Sequence, residues 1–131
     1  MTIPIKRILC LEDHADIRDL FFMLGDAGYE LIFAKTPTNA LRLALSEHFD
    51  CFILDVRLPG KSGIDLCREI RRIDSSTPAI FYTGDAGEAD QVAGLRAGAR
   101  AYLVKPDDTD HIIETIKRLT GEAETNPQTG N

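Results

Sequence analysis

The chain has 131 residues, of which 44% are hydrophobic and 27% charged, proportions that are ordinary for a globular domain. A formal net charge of −6 argues against direct nucleic-acid binding over a broad surface, which needs clustered Lys and Arg. No apolar run approaches the roughly 20 residues of a membrane helix, and three cysteines without metal-ligand spacing favour a reducing, cytoplasmic location.

Strand-like and helix-like segments then alternate along the chain, five of each. Short apolar runs predict strands at residues 7–11, 30–34, 51–54, 79–83 and 101–104. A helix is predicted after each strand, with Thr36 before Pro37 as the cap of the second, Ser62 of the third and Asp108 of the fifth. This alternation predicts an α/β fold in which helices cover both faces of a parallel sheet.

The predicted helices carry apolar stripes that should face the sheet. Their members are Ile17, Leu20, Phe21 and Leu24; Ala40, Leu41, Ala44 and Leu45; Leu66, Ile70 and Ile73; and Ile112, Ile113, Ile116 and Leu119. The fourth helix, at about residues 87–97, has the weakest pattern because it contains Gly87 and Gly94. Residues 1–120 are predicted to form one domain, and the polar residues 121–131 a disordered tail.

Reactive side chains follow four of the five predicted strands. The first strand ends at Glu12-Asp13, the third at Asp55, the fourth at Thr83 and the fifth at Lys105. Because the carboxyl ends of parallel strands meet at one edge of a sheet, we expect these groups to surround one crevice. Asp55 could alternatively be an acid that merely ends a strand.

Three crowded carboxylates raise one another's pKa, and a divalent cation relieves this repulsion. Oxygen ligands of this kind favour Mg²⁺. One consistent arrangement is phosphoryl transfer, in which two acids hold Mg²⁺ and the Asp55 carboxylate attacks phosphorus. Lys105 and Thr83 would then contact the phosphoryl oxygens.

The sequence resembles the receiver domain of two-component response regulators over about residues 6–119. The motifs that carry the resemblance are Glu12-Asp13, Asp55 in DVRLPGKSG, Thr83 in YTGD, Tyr102 and Lys105-Pro106. The resemblance implies a flavodoxin-like doubly wound fold with strand order 2-1-3-4-5. It also implies a signalling switch without a built-in effector, which is phosphorylated and dephosphorylated but is not a turnover enzyme.

The resemblance further implies roles for particular residues. Asp55 would accept a phosphoryl group from a phosphohistidine on a sensor histidine kinase or a histidine phosphotransfer protein. Mg²⁺ would be surrounded by Glu12, Asp13, Asp55 and the backbone carbonyl of Arg57. Lys105 would be positioned by a cis bond to Pro106.

The remaining implications concern the output of the switch. Thr83 would move toward the phosphate and Tyr102 would turn inward behind it, although Tyr102 could also be a static core residue. Arg57 and Asp85 would tune hydrolysis of the acyl phosphate, although Arg57 could equally be a solvated side chain. The fourth helix, fifth strand and fifth helix would form the face that binds a downstream protein target or a second copy of the chain. Asp107 and Asp108 stand where the family often has an apolar residue.

Three other interpretations fit parts of the sequence. A pseudo-receiver would keep the fold as an interaction module without phosphorylation, and the intact acid, Thr and Lys set argues against it. A flavodoxin-like electron carrier would need a loop rich in Ser, Thr and Gly for FMN phosphate, where this chain has Glu12-Asp13-His14. A turnover phosphatase typically needs a second acid two residues after its nucleophile, where this chain has Arg57.

Overall fold

The computed structural model describes residues 4–12 and 14–121, without the side chains of residues 14–16. Its strands are β1 (Arg7–Leu11), β2 (Glu30–Phe33), β3 (Cys51–Leu54), β4 (Ala79–Thr83) and β5 (Ala101–Val104). They form one parallel sheet in the order β2-β1-β3-β4-β5, so the predicted flavodoxin-like topology is confirmed. The helices are α1 (His14–Asp26), α2 (Pro37–Ser46), α3 (Gly63–Ile73), α4 (Glu88–Arg96) and α5 (Ile112–Thr120), with a 3₁₀ turn at Thr109–His111.

Two hydrophobic cores lie on opposite faces of the sheet because side chains alternate along each strand. In β3, Phe52 and Leu54 belong to the core under α2, α3 and α4, while Cys51 and Ile53 belong to the core under α1 and α5. All residues of β3 are buried, as expected for a central strand covered on both faces.

The two predicted caps at the starts of α2 and α3 are confirmed. Thr36 Oγ1 accepts a hydrogen bond from Asn39 N–H, and Ser62 Oγ accepts one from Ile64 N–H, both at 3.0 Å. Each cap satisfies a backbone donor that the first turn of a helix would otherwise leave unpaired.

The predicted cap of α5 is wrong. The 3₁₀ turn separates Asp108 from α5, and Asp108 makes no side-chain hydrogen bond as a cap. Its carboxylate instead accepts a hydrogen bond from the N–H of Val104, at 2.9 Å. Asp108 therefore stabilises the segment around Lys105 rather than the start of a helix.

Three residues predicted to be buried are exposed: Phe21 (52%), Leu45 (63%) and Ile73 (46%). In α1 the buried face is narrower than the predicted stripe. The Phe21 ring packs instead against the Phe22 ring, with 5.7 Å between the ring centroids. Leu45 and Ile73 lie in the last turns of α2 and α3, beyond the final buried residue of each helix. The apolar stripes of α2 and α3 thus extend past the part that the sheet covers, whereas Phe21 lies at the side of the covered face of α1, between the buried Leu20 and Leu24 in sequence.

None of the helices in the described ranges is both long enough and apolar enough to cross a membrane. Residues 122–131 lie outside the described part of the chain, so the division into a domain and a tail stays a prediction.

We expect Gly63→Ala to lower the free energy of unfolding by about 2 kcal/mol. A Cβ at this first residue of α3 would overlap the backbone carbonyl oxygen of Asp55. Gly25→Ala in α1 is the matched control, because a Cβ there meets nothing within 4 Å; it should raise stability by up to about 1 kcal/mol. Equilibrium urea unfolding measures both changes, and equal stability of the two variants would contradict the packing described.

Candidate functional site

The carboxyl edge of the sheet brings together the described side chains that the sequence predicts to lie there. Two backbone hydrogen bonds extend the strand pairing by one residue at this edge. Asp55 N–H donates to Leu11 O at 3.0 Å, and Lys105 N–H donates to Thr83 O at 2.8 Å. These bonds continue the register of the sheet, so the backbones of Asp55 and Lys105 are fixed relative to β1 and β4.

The Lys105 ammonium group lies between two buried carboxylates. Its Nζ is 2.8 Å from Glu12 Oε1 and 3.2 Å from Asp55 Oδ2. The side chains of the two acids are 0% and 8% exposed. Buried charges are tolerated when they are paired, and among the described side chains in these contacts one positive charge faces two negative ones. This imbalance favours a further cation at the site.

The loop after β3 binds the other oxygen of Asp55. Arg57 N–H donates to Asp55 Oδ1 at 3.2 Å. Gly60 in this loop has a φ of 79°, in the left-handed region that favours glycine. Gly63 then packs α3 directly on the Asp55 backbone. The loop and the helix together restrict the predicted phosphoacceptor.

Thr83 and Tyr102 both contact the backbone of Asp85, in the loop after β4. Asp85 N–H donates to Thr83 Oγ1 at 3.3 Å, and the Tyr102 hydroxyl donates to Asp85 O at 2.7 Å. Burial raises the pKa of Tyr102 to about 12, and nearby negative charges, led by that of Asp90, add to the rise. Tyr102 therefore stays protonated and donates this hydrogen bond at neutral pH.

Arg57 and Asp85, the predicted tuning residues, form an ion pair with Arg57 Nε 2.7 Å from Asp85 Oδ1. The hydrogen bond to Asp85 raises the pKa of the Arg57 guanidinium. The pair joins the loop after β3 to the loop after β4. Because 79% of the Arg57 side chain is exposed, the structure is compatible with a solvated side chain as well as with a tuning role, and the tuning role stays a prediction.

Sequence reasoning missed one residue at the site, Tyr82. The centroid of its ring lies 5.0 Å from Lys105 Nζ, within the range of a cation–π interaction. In the sequence Tyr82 reads as an ordinary buried strand residue. Strand alternation could have found it, because Tyr82 pairs with Leu103, and Lys105 is two residues farther along and so points to the same face.

The described donors fit a hard divalent cation such as Mg²⁺, since carboxylate oxygens are its preferred protein ligands. Glu12 and Asp55 provide such oxygens at a buried position. Asp13, the third predicted acid, lies outside the described residues, and within those residues no group of three or more metal-ligating side chains occurs. The Lys105-Pro106 bond is cis, as the resemblance implies.

Comparison with known proteins agrees with this fold. The sequence model of the family described as response regulator receiver domain matches residues 8–117. The uncharacterized transcriptional regulatory protein YrkP of Bacillus subtilis is 39% identical over 119 residues, which cover 87% of this chain and 51% of that protein. The chain spans about half the length of the curated relatives it matches.

Two solved structures are similar over almost the whole described fold. The response regulator TrrA of Thermotoga maritima, in complex with Mg²⁺ and BeF, is 32% identical with a TM-score of 0.78, covering 88% of this chain and 99% of that one. The receiver domain of a sensor histidine kinase of Pseudomonas aeruginosa has a magnesium ion in its active site cleft. It is 29% identical with a TM-score of 0.82, covering 90% of this chain and 99% of that one.

In the absence of divalent cations, we expect Asp55→Asn to raise the free energy of unfolding by about 1 kcal/mol. The substitution removes one of two carboxylates that share a single ammonium, and an Asn oxygen can still accept from Arg57 N–H. Asp65→Asn removes an exposed acid paired with Arg68 and should change stability little. Urea unfolding in a chelating buffer measures both, and a clear destabilisation by Asp55→Asn would contradict the excess of negative charge.

Proposed function

We propose that this chain, which belongs to the response regulator receiver family, is a signalling switch set by phosphorylation of Asp55. The observation that carries the proposal is the buried Asp55 carboxylate, with Oδ2 at 3.2 Å from the Lys105 ammonium. Phosphoryl transfer to a carboxylate needs a positioned nucleophile and positive charge near the phosphoryl oxygens. The contacts of Asp55 and Lys105 support both requirements.

In the proposed reaction an oxygen of the Asp55 carboxylate attacks the phosphorus of a phosphohistidine. An oxygen–phosphorus bond forms and the phosphorus–nitrogen bond breaks, with its electron pair returning to the imidazole, which takes up a proton. Lys105 binds one phosphoryl oxygen through its ammonium, and Thr83 binds another through its hydroxyl. Later attack of water on the acyl phosphate releases inorganic phosphate and restores the Asp55 carboxylate. The proposed reaction therefore switches the chain between two states and is not the turnover of a separate substrate.

Mg²⁺ is the proposed cofactor, and Glu12, Asp13, Asp55 and the backbone carbonyl of Arg57 are its proposed ligands. When bound, the ion neutralises charge on the phosphoryl oxygens. The two carboxylates that share the Lys105 ammonium support this choice. The similar structures from T. maritima and P. aeruginosa, both of which contain magnesium, also support it.

Phosphorylation is proposed to act on Thr83 and Tyr102 through Asp85. Thr83 Oγ1 now accepts a hydrogen bond from Asp85 N–H. A phosphoryl oxygen that binds the Thr83 hydroxyl draws it away from Asp85, and Tyr102, which is bound to Asp85 O, moves inward with the same loop. This change reaches the face formed by α4, β5 and α5.

The proposed upstream partner is a sensor histidine kinase or a histidine phosphotransfer protein. The proposed output is binding of a downstream protein target, or a second copy of the chain, at the face formed by α4, β5 and α5. We place the protein in the cytoplasm. The curated relatives, one named as a probable and one as an uncharacterized transcriptional regulatory protein, are about twice as long. In a longer protein, nucleic-acid binding is proposed to belong to regions outside this domain.

We expect wild-type protein incubated with acetyl phosphate to gain one phosphoryl group, only when Mg²⁺ is present, and Asp55→Asn to gain none. Intact-mass spectrometry measures the adduct. Asp65→Asn, which changes an exposed acid on α3, is the matched control and should be phosphorylated like the wild type. If folded wild-type protein binds Mg²⁺ but gains no adduct from acetyl phosphate or from a phosphorylated histidine kinase, the pseudo-receiver alternative replaces the proposal.

We expect Arg57→Gln and Asp85→Asn each to accelerate hydrolysis of the acyl phosphate by about two- to fivefold, the range that one exposed ion pair can supply. The pair joins the loops after β3 and β4, and its proposed effect is to restrict the approach of water to the acyl phosphate. Because each variant breaks the same contact, the acyl phosphate of the double variant should hydrolyse no faster than that of the faster single variant. The measurement is the decay of the phosphorylated form after removal of donor, and additive effects would exclude the ion pair as the cause.

A further inference from the structure

The ring of Tyr82 is an uncharged neighbour of the Lys105 ammonium. Lys105 Nζ lies 5.0 Å from the centroid of that ring, while the carboxylates of Glu12 and Asp55 lie 2.8 and 3.2 Å from the same atom. The ammonium is therefore in contact with two acids and an aromatic face. An aromatic face attracts a cation through its quadrupole, and more strongly when the cation is shielded from water. Only 14% of the Lys105 side chain is exposed.

Both the ring and the hydroxyl of Tyr82 make contacts that restrict its position. Its ring belongs to the core under α1 and α5, where it is 6% exposed and packs with residues such as Ile80 and Leu103. Its hydroxyl is 2.7 Å from Thr109 Oγ1, in the 3₁₀ turn that follows Lys105. The burial of the ring and the contact of its hydroxyl restrict the orientation of the face that Tyr82 presents to Lys105.

Asp108 binds the backbone of Val104, the residue before Lys105. The Asp108 carboxylate accepts a hydrogen bond from Val104 N–H at 2.9 Å, and Asp108 N–H donates to Val104 O at 2.8 Å. β5 is an edge strand, so Asp108 occupies a backbone donor that no further strand pairs. This contact gives a physical reason for Asp108 in a segment where the family often has an apolar residue.

We propose that Tyr82 is a positioning residue for Lys105, an inference that rests on the proposed phosphorylation of Asp55. Of the neighbours of the ammonium described above, the carboxylate of Asp55 changes in the reaction, whereas the ring does not. When Asp55 becomes an acyl phosphate, Lys105 must shift its contact from a carboxylate oxygen to a phosphoryl oxygen. The ring of Tyr82 keeps the ammonium at this edge of the sheet during that change.

The test compares the rate of phosphorylation by acetyl phosphate, at saturating Mg²⁺, for Tyr82→Leu and Tyr82→Phe. Tyr82→Leu removes the aromatic face, and its maximal rate should fall by about tenfold, within the range of a shielded cation–π contact. Tyr82→Phe keeps the face and should restore most of the wild-type rate. The affinity for Mg²⁺ should be unchanged in both variants, because Tyr82 offers the ion no ligand.

Two controls separate positioning from general damage to the core. Tyr29→Leu removes another buried tyrosine from the same core and should lower stability without slowing phosphorylation. In a Lys105→Met background, adding Tyr82→Leu should slow the reaction no further, because the residue through which Tyr82 acts is already absent. A normal rate for Tyr82→Leu, an equal loss in Tyr29→Leu, or a further loss in the double variant would each overturn the inference.

A measurement that needs no phosphorylation tests the contact itself. The ring current of Tyr82 should shift the NMR signals of the Lys105 ε-methylene protons in the wild type and in Tyr82→Phe, and the shift should vanish in Tyr82→Leu. An unchanged spectrum in Tyr82→Leu would overturn the contact. A wild-type protein that shows the shift but takes no phosphoryl group would instead overturn the proposed function, and the positioning role with it.

Discussion

The ion pairs of Lys105 with Glu12 and Asp55 depend on three strands ending at the same level of one sheet. All three side chains are largely buried, and the Lys105 ammonium is what makes burial of the two carboxylates tolerable, since an unpaired buried charge costs several kcal/mol. Two backbone hydrogen bonds, from Asp55 N–H to Leu11 O and from Lys105 N–H to Thr83 O, determine where these strands end relative to one another. The site is thus a consequence of strand register, and a slip of one residue would move these side chains to the opposite face of the sheet.

The strands could be predicted because each is a short and mainly apolar run, whereas their order in the sheet came from the resemblance to receiver domains. The caps of α2 and α3 could be predicted because a Ser or Thr just before a helix commonly accepts a hydrogen bond from its first turn. The exposed Phe21, Leu45 and Ile73 could not be foreseen in the same way. Helical periodicity shows which residues share a stripe, but where that stripe leaves the sheet depends on the lengths and angles of other elements. The prediction that Asp108 caps α5 was wrong for a related reason. The sequence shows an acid before a helix, but the unpaired N–H of the edge strand β5 that it binds exists only in three dimensions.

The reactive residues could be predicted one strand end at a time, whereas contacts between loops could not. Arg57 and Asp85 are 28 residues apart and belong to different loops, so nothing in their spacing indicates the 2.7 Å ion pair. Tyr82 escaped notice because a buried tyrosine in a strand needs no functional explanation. Its orientation toward Lys105 follows from the pairing of β4 with β5, which becomes usable only after the sheet order is known. Prediction from sequence therefore identifies the groups at the edge of the sheet better than it identifies what holds them.

The helix with the weakest pattern in the sequence, α4, shows why a glycine can be retained where it lowers helix propensity. A Cβ at Gly94 would lie 3.0 Å from Cδ2 of Phe81 and 3.0 Å from Cδ2 of Tyr102, closer than most Cβ atoms approach a neighbour. The absence of a side chain lets α4 pack directly on these two rings. Any rotation of Tyr102 must therefore displace either its hydrogen bond to Asp85 O or the contact with α4. α4 begins at Glu88, and Gly87 at its N-cap position offers no side-chain cap, so its first turn lacks a contact that stabilises α2 and α3. If Tyr102 moves as proposed, α4 is therefore the neighbouring element whose displacement would cost least.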